Sequence, residues 1–362
     1  MNFLTDISYN VDEINWNKSL LSNPKSTAYQ HSDFFIPYQL AYDSKRVFIK
    51  ILNLSGDIVG QLSGIIHFSN YWTNLNSISK FFISKFNLGS VLNWFQGPII
   101  HDTENSDQIL SYILTAIDKI AKDNDVNLIS GTSPPQSNLS VDIFKNNNYM
   151  IKPWISYVTN INKNIDEIYN SLHNKTRYDI RKGEKSGLEF EIVSTKESLN
   201  SYLDIKYPEN KKLEKIKKSN VSFREHSWNT SYKNNLEKMY LALSEGIPVA
   251  AIVAVLYNGN VVQSGVATSY STNQYAGSFL TWNIIKWAAE NNFKTFDAAG
   301  ANPNPISPKE KGINLFKSKW ASEKVDYFLC TKVFNKTKLN ISSFIKEPRS
   351  IKNKINRIFT KI

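Results

Sequence analysis

The sequence predicts an α/β fold with mixed sheets, arranged in two similar units, and three observations support this prediction. The chain has 362 residues, which is long for one compact core. Its 41% hydrophobic and 13% aromatic residues are typical of a globular protein. The succession of hairpin, long helix, strand and loop occurs once in each half. We therefore expect one unit over residues 1–155, joined by the tail 332–362, and a second over 156–331.

The first half begins with a predicted hairpin whose turn contains Gly56, a residue suited to the positive φ of a tight turn. Apolar residues then recur at helical spacing after Asp107, which indicates an amphipathic helix. The predicted elements are a hairpin (47–68), a strand broken at Gly97-Pro98 (90–100), a helix (107–123), a strand (126–134) and a short helix with a turn (141–150).

The second half carries the stronger hairpin signal, because Asn258-Gly259 lies between two apolar runs. Glu245-Gly246 marks a second turn in the same segment. The predicted elements are a helix (165–184), a strand (188–193), an exposed lysine-rich segment (206–220), a hairpin (239–269), a helix (278–291), a strand (293–300) and a proline-rich loop (301–312).

The positive charge is concentrated at one end of the chain. The net charge is +11, and residues 336–362 hold eight basic residues against one acid, so +7 lies in this tail and +4 in the body. That distribution argues against a protein that binds nucleic acid over its whole surface. Within 349–362 an apolar stripe lies among basic residues, which predicts a basic amphipathic helix. Such a helix lies on an anionic bilayer or packs on the first unit, and the sequence leaves both open.

Several classes of site and location are disfavoured. The longest apolar run, 247–257, is shorter than the roughly 20 residues of a membrane-spanning helix, and the first residues lack a secretory pattern. The single cysteine, Cys330, is expected to be a buried, inert thiol. The five histidines lack metal-ligand spacing, and no phosphate-binding glycine motif is present. We expect a cytoplasmic protein, with a contact to the membrane surface left open, and neither a metal nor a bound cofactor.

Five short motifs resemble, in order, those of the FemAB/FemX family of peptidyltransferases. They are NWFQGPII (93–100), LISGTSPPQS (128–137), HNKTRYDIRKGEKSG (173–187), FDAAG (296–300) and GINLFKSKWA (312–321). The resemblance implies tandem GNAT-like acyltransferase domains with a substrate cleft in the second. It also implies transfer of an aminoacyl group from charged tRNA to an amine on a lipid-linked or nucleotide-linked peptidoglycan precursor. More distant relatives are acetyltransferase-like.

Two departures leave the acyl donor open between aminoacyl-tRNA and acyl-CoA. The stretch between Ile192 and Met239 is too short for the long helical arm that some family members carry. Gln274–Gly277 lacks the glycine-rich loop that holds the pyrophosphate of coenzyme A in ordinary GNAT enzymes.

The candidate site residues follow from these motifs. Lys317 is either the cation for the oxyanion or a surface lysine. Asp297 either accepts a proton or orients the amine, or it bonds the amides of the following loop. Arg177 and Arg181 share one helical face, where they bind a phosphate or form a solvated surface. The further candidates for substrate binding are Arg224, Phe316 and Tyr270.

Three functions remain in competition. The first is a FemAB-type acyltransferase acting on a cell-envelope precursor, with a small-molecule or lipid-linked acceptor. The second is an N-acetyltransferase that uses acetyl-CoA on an amino sugar of a surface polysaccharide. The third is a non-catalytic module whose basic faces hold RNA or anionic lipid. The sequence leaves the oligomeric state open.

Overall fold

The computed structural model describes residues 2–68, 81, 83, 85–207, 214–269, 275–320 and 323–346. Within these ranges eleven α-helices accompany a single sheet of thirteen strands. The strands are β1 (Leu4–Ser8), β2 (Ser44–Leu52), β3 (Ile58–His67), β4 (Val91–Trp94), β5 (Ile99–Ile100), β6 (Leu128–Thr132), β7 (Met150–Asn160), β8 (Leu188–Ile192), β9 (Glu237–Ser244), β10 (Ile247–Tyr257), β11 (Asn260–Thr268), β12 (Thr295–Asp297) and β13 (Glu323–Val333). The helices are α1 (Glu13–Leu21), α2 (Ile36–Ala41), α3 (Ser106–Asp123), α4 (Val141–Asn146), α5 (Ile165–Ser171), α6 (Asn174–Lys185), α7 (Lys196–Lys206), α8 (Glu214–Ser227), α9 (Ala276–Glu290), α10 (Pro308–Ser318) and α11 (Lys336–Lys346).

The sheet is mixed and runs through both halves of the chain. Its order is β1-β2-β3-β4-β6-β13-β7-β12-β11-β10-β9-β8, and β5 pairs with β3. The pairs β4–β6 and β11–β12 are parallel, whereas the other described pairs are antiparallel. The predicted α/β fold with a mixed sheet is confirmed.

Strand β13 joins the two halves. It lies between β6 of the first half and β7, and it pairs with β7 from Glu323 opposite Val158 to Thr331 opposite Met150. The predicted boundary at residue 155 falls inside β7. The division into units at that residue therefore stays a prediction.

Two large hydrophobic cores lie on this sheet. In the first, α3 buries Ile109, Ile113 and Ile117 at the helical spacing that its sequence shows. Strand β13 adds Cys330, whose thiol is buried and whose pKa is raised by that burial. In the second core, α9 packs its apolar face, including Leu280, against the sheet.

Local caps explain where two element predictions were wrong. The helix expected over 165–184 is two helices, because the side chains of Asn164 and His173 each accept a backbone N–H and start a new helix. Helix α10 begins inside the predicted proline-rich loop, where Ser307 and Glu310 form a capping box and Pro308 occupies the first turn. The Asn258-Gly259 turn is confirmed, with φ of 46° and 77°.

The end of the described chain contacts the first half. The N–H groups of Phe334 and Asn335 donate to the Asn127 carbonyl, and the Lys338 ammonium pairs with the Asp125 carboxylate. The predicted amphipathic helix over 349–362 lies outside the described residues. Within the described ranges, every helix is too short or too polar to cross a bilayer.

Candidate active site in the cleft between the halves

The centre of the second half is a parallel pair of strands that separates after three residue pairs. Asn260–Val262 pair with Thr295–Asp297, after which β12 ends and β11 continues to Thr268. A register shift against β10 leaves Ser264 as an extra residue, which is a β-bulge. The carboxyl ends of adjacent parallel strands are a common position for ligand sites in α/β proteins.

A cavity of about 440 Å³ lies along these two strands, and its lining runs from Asn260 and Thr295 at their amino ends to Val262 and Asp297 where their pairing stops. Its walls come from both halves of the chain, with Lys25 and Tyr29 on one side and Asn260, Lys294 and Asp297 on the other. This volume suits a small-molecule substrate. Within the described ranges, no group of three His, Cys, Asp or Glu side chains is placed to hold a metal ion.

Asp297 is held in place at the floor of this cavity. Its side chain is 6% exposed, and its Oδ1 accepts from the Ser156 hydroxyl and from the Ala299 N–H, at 2.7 Å for the latter. No donor to Oδ2 lies in the part of the chain that the structure describes. Burial raises the pKa of Asp297, opposed by these two hydrogen bonds and by the charge of Lys317. A carboxylate with a raised pKa is a better proton acceptor near neutral pH.

The turn after Asp297 requires the small residues of the FDAAG motif. Ala299 has φ of 63°, in the left-handed region that few non-glycine residues adopt. At Gly300 an added Cβ would lie 2.0 Å from the Tyr327 hydroxyl and 2.5 Å from Trp154 Nε1. The backbone therefore passes directly against two polar aromatic groups, and only glycine fits there.

Lys317 reaches the same turn from α10. Its ammonium donates to the Gly300 carbonyl at 2.9 Å. Burial lowers the pKa of Lys317, opposed by the charge of Asp297, so the two groups are electrostatically coupled. Lys317 does not line the 440 Å³ cavity, whereas Asp297 does. The structure thus brings the two predicted catalytic residues to one turn, with Lys317 behind it.

The end of α10 is fixed by contacts with neighbouring elements. The Thr159 hydroxyl donates to the Trp320 carbonyl, and the Thr176 hydroxyl donates to the Lys319 carbonyl at 3.4 Å. Phe316, a predicted substrate-binding residue, is 36% exposed and packs against Trp320 with ring centroids 6.1 Å apart. These contacts limit the positions that Lys317 adopts.

Tyr29 is a site residue that sequence reasoning missed. It lines the cavity from the first half, and Ser264 at the β-bulge is close enough to lower its pKa against the larger effect of burial. Burial raises the pKa of Tyr29, with a further contribution from Asp297, so this hydroxyl keeps its proton at neutral pH. Because Tyr29 and Asp297 are far apart in sequence, no local pattern could have joined them.

Tyr29 lies in a short 3-10 helix, Ala28–Gln30, which is held in place by the side chain of Gln30. The Gln30 amide is fully buried, donates to the Phe95 carbonyl at 2.7 Å and accepts from the Ser63 N–H at 2.8 Å. A Cβ at Gly97 would lie 2.6 Å from Gln30 Nε2. Gln30, a polar residue within the aromatic-rich segment AYQHSDFF, is the sequence signal that marks this segment.

The two arginines of α6 lie outside the cavity. Arg177 donates to the Asn170 carbonyl at 3.2 Å and to the Asn174 side chain, and Arg181 donates to the Tyr169 hydroxyl at 3.4 Å. They share one helix as predicted, but their contacts are with residues of α5 and the start of α6. Their phosphate-binding role stays a prediction.

Arg224 is engaged in a buried ion pair. Its guanidinium lies 3.4 Å from the Glu237 carboxylate, with side-chain exposures of 12% and 7%. Burial lowers the pKa of Arg224, but Glu237 and neighbouring tyrosines raise it by more, so the guanidinium stays charged. Ser227 also donates to Glu237. The structure places Arg224 away from the cavity, and Tyr270, the remaining candidate, lies outside the described residues.

The second half matches a known protein family. Residues 170–304 match the model of the family described as "Acetyltransferase (GNAT) domain". This range contains Asp297 and Ser264, whereas Tyr29 and Lys317 lie on either side of it. The predicted acyltransferase class is confirmed by this domain. No curated protein sequence matches the chain.

Solved structures share the fold over nearly the whole chain. FemX superposes with a TM-score of 0.64 at 12% identity, covering 91% of this chain and 97% of FemX. A tandem GNAT protein from the clavulanic acid biosynthesis pathway gives a TM-score of 0.57 at 10% identity, covering 91% and 98%. L-PGS from Bacillus licheniformis gives 0.51 at 11% identity, covering 88% and 95%. The predicted resemblance to a FemX-like tandem GNAT fold is confirmed.

Proposed function

We propose that this chain transfers an acyl or aminoacyl group to an amine of a cell-envelope precursor, in the manner of FemAB-type enzymes. One observation carries the proposal: Asp297, oriented by Ser156 and Ala299, lies at the floor of a small-molecule cavity inside the GNAT-matching segment. The FemX-like fold supports the FemAB type. A lipid-linked acceptor and a peripheral membrane contact through residues 349–362 belong to the same proposal.

The proposed reaction needs a proton acceptor on the amine. The amine nitrogen forms a bond to the carbonyl carbon of the donor ester or thioester, and its proton passes to Oδ2 of Asp297. The carbon–oxygen or carbon–sulfur bond to the donor then breaks, and the leaving group takes a proton. Burial keeps Asp297 more basic than an exposed carboxylate, which favours this role.

The negative charge that develops on the carbonyl oxygen needs donors nearby. An ammonium has three N–H donors, and the Gly300 carbonyl uses one of those on Lys317. Because Lys317 lies behind the turn and does not line the cavity, we assign it to holding the turn that shapes the site of the oxyanion. Tyr29, with its proton retained and its hydroxyl next to Ser264, is placed to donate to the same oxygen or to the leaving group.

A second candidate function is acetyl transfer to an amino sugar from acetyl-CoA. The similar tandem GNAT fold, described in a form without AcCoA, favours this alternative. The sequence over Gln274–Gly277 opposes it, because it lacks the glycine-rich loop that holds the pyrophosphate of coenzyme A. Calorimetric titration with acetyl-CoA, and separately with aminoacyl-tRNA, distinguishes the two donors.

The decisive experiment measures acyl transfer by mass spectrometry, with both donors and a panel of nucleotide-linked muropeptides and amino sugars. Asp297→Asn keeps an oxygen for Ser156 and Ala299 but removes the base, so we expect turnover to fall by about 10²–10⁴-fold. Tyr149→Phe, which removes a buried hydroxyl of the first core, is the matched control and keeps full turnover. Undiminished turnover in Asp297→Asn would refute the assigned base.

Lys317 and Tyr29 are tested in the same assay. We expect Lys317→Ala and Tyr29→Phe to lower kcat more than they change KM, because both contribute to the transition state. If only KM changes, the residues bind substrate without taking part in the chemical step. Unchanged kinetics in Lys317→Ala would remove it from the mechanism.

A further inference from the structure

An exposed aromatic and basic surface lies in the first half, beyond the end of β3. We name it the aromatic–lysine patch, and its residues are Phe81, Lys85, Phe86, Lys338 and Ile341. Phe81 is 60% exposed, Phe86 51% and Ile341 44%. The Lys85 ammonium lies 5.6 Å from the ring centroid of Phe81 and 5.8 Å from that of Phe86. Phe86, Lys338 and Ile341 line one shallow hollow, so the patch is continuous.

The patch is fixed to the folded body and is not a loose surface. Ile83, between Phe81 and Lys85, is fully buried, and its carbonyl accepts from the Leu88 N–H at 2.8 Å. Asn87 donates to the Asp125 carbonyl at 2.9 Å, while Lys338 of α11 pairs with the Asp125 carboxylate. Two separate segments of the chain are thereby held at one place, with their apolar side chains outward.

We propose that this patch docks the protein on an anionic lipid bilayer. Exposed phenylalanine and isoleucine side chains bury favourably at the headgroup boundary, while lysine side chains extend to reach phosphate. Helix α11 has three lysines and no acidic residue, and the following residues 347–362 contain five basic residues and one acid. The charge of an anionic surface complements both.

Two other partners for the aromatic–lysine patch, the segment 347–362 and single-stranded nucleic acid, fit less well. The segment 347–362 is itself basic, so its packing on Lys85 and α11 would bring like charges together. Single-stranded nucleic acid would use aromatic stacking and arginine contacts. Ile341 cannot stack on a base, and the patch contains no arginine. An anionic bilayer is therefore the partner that the surface chemistry fits.

The test is vesicle flotation of the full chain. We expect binding to phosphatidylcholine vesicles that contain phosphatidylglycerol, loss of binding on neutral vesicles, and a decrease with added salt. The double variant Phe81→Ser/Phe86→Ser should bind at least about tenfold more weakly, because two aromatic side chains no longer enter the bilayer. Leu54→Ser is the matched control. Leu54 is 80% exposed in the turn before β3, at the end of that strand away from the patch. This variant should bind vesicles like the wild type.

Several outcomes overturn the proposal. Wild-type binding by the double variant means that another surface, or the segment after α11, is the membrane contact. Absence of vesicle binding by the wild type, with or without binding to an RNA oligomer, also refutes it. Transfer to a water-soluble acceptor is measured in parallel and should be equal in all three proteins. A defect confined to flotation therefore separates this surface from the catalytic proposal.

Discussion

The buried pair of Arg224 and Glu237 offers the sharpest test of how the second half is stabilised. We propose replacing Arg224 with methionine, which keeps much of the side-chain volume and removes the charge. Glu237, 7% exposed, then remains in the interior with the Ser227 hydroxyl as its described partner. If Arg224 instead served mainly as a phosphate ligand, its loss would change binding and leave the fold largely unaffected.

The expected magnitude follows from burial. Removing one member of a buried ion pair typically costs about 3–5 kcal/mol, because the other charge loses its partner. The adjacent residue supplies a matched control. Glu225 pairs with Lys196 at 2.9 Å, but the two side chains are 43% and 59% exposed. Glu225→Gln should therefore cost at most about 1 kcal/mol.

Urea unfolding, followed by circular dichroism, measures both free energies of unfolding. We expect the double variant Arg224→Met/Glu237→Met to be more stable than Arg224→Met alone, since no unpaired charge remains. The reasoning is refuted if Arg224→Met and Glu225→Gln have the same small effect. In that case Arg224 returns as a candidate for anion binding.

Three further predictions concern Gly300, His67 and Cys330. Gly300→Ala should lower the free energy of unfolding by about 1–3 kcal/mol, because the added methyl group clashes with Tyr327. Gly312→Ala should raise it by about 0.5–1 kcal/mol, because Gly312 lies within α10 and an added Cβ has no atom inside 4 Å. Equal effects of the two substitutions in urea unfolding would contradict this reasoning. Burial lowers the pKa of His67 to about 4 from 6.5, so the folded state resists a proton that the unfolded chain accepts. Through His67 alone, stability should fall by up to roughly 3 kcal/mol as the pH drops from 6.5 towards 4. His67→Gln should show a smaller fall across that range, and the remainder comes from the other, partly buried histidines, His31 and His101. The buried Cys330 thiol, with its raised pKa, should react with a thiol reagent only after unfolding, and rapid labelling of the native protein would refute its burial.

Sequence reasoning succeeded where information was local. The isoleucines of α3 and the Asn258-Gly259 turn carry their structure in spacing and in residue type, and both are found as predicted. The strand predicted over 293–300 stops at Asp297, and the small residues of FDAAG form the turn that joins Asp297 to the Lys317 contact. Helix ends were less accessible, since the caps at Asn164 and His173 depend on side-chain orientation.

The cleft itself could not be predicted, because it is made by contacts between distant segments. Tyr29 lines the same cavity as Asp297 because Gln30 holds its segment in place, and no sequence spacing encodes that arrangement. Arg224 shows that sequence reasoning can also assign a ligand to a residue that already has a partner in the fold. A basic residue in a polar segment looked available for a ligand, but a distant acid, Glu237, is its partner in the fold.

The position of β13 has a consequence for biosynthesis. Cys330 and Phe328 complete the core formed around α3, about 200 residues earlier in the chain. A nascent polypeptide that has emerged only through residue 300 therefore holds an unfinished first half, with the edges of β6 and β7 still uncovered. Such late closure favours slow maturation and an early need for chaperones, since exposed strand edges aggregate readily.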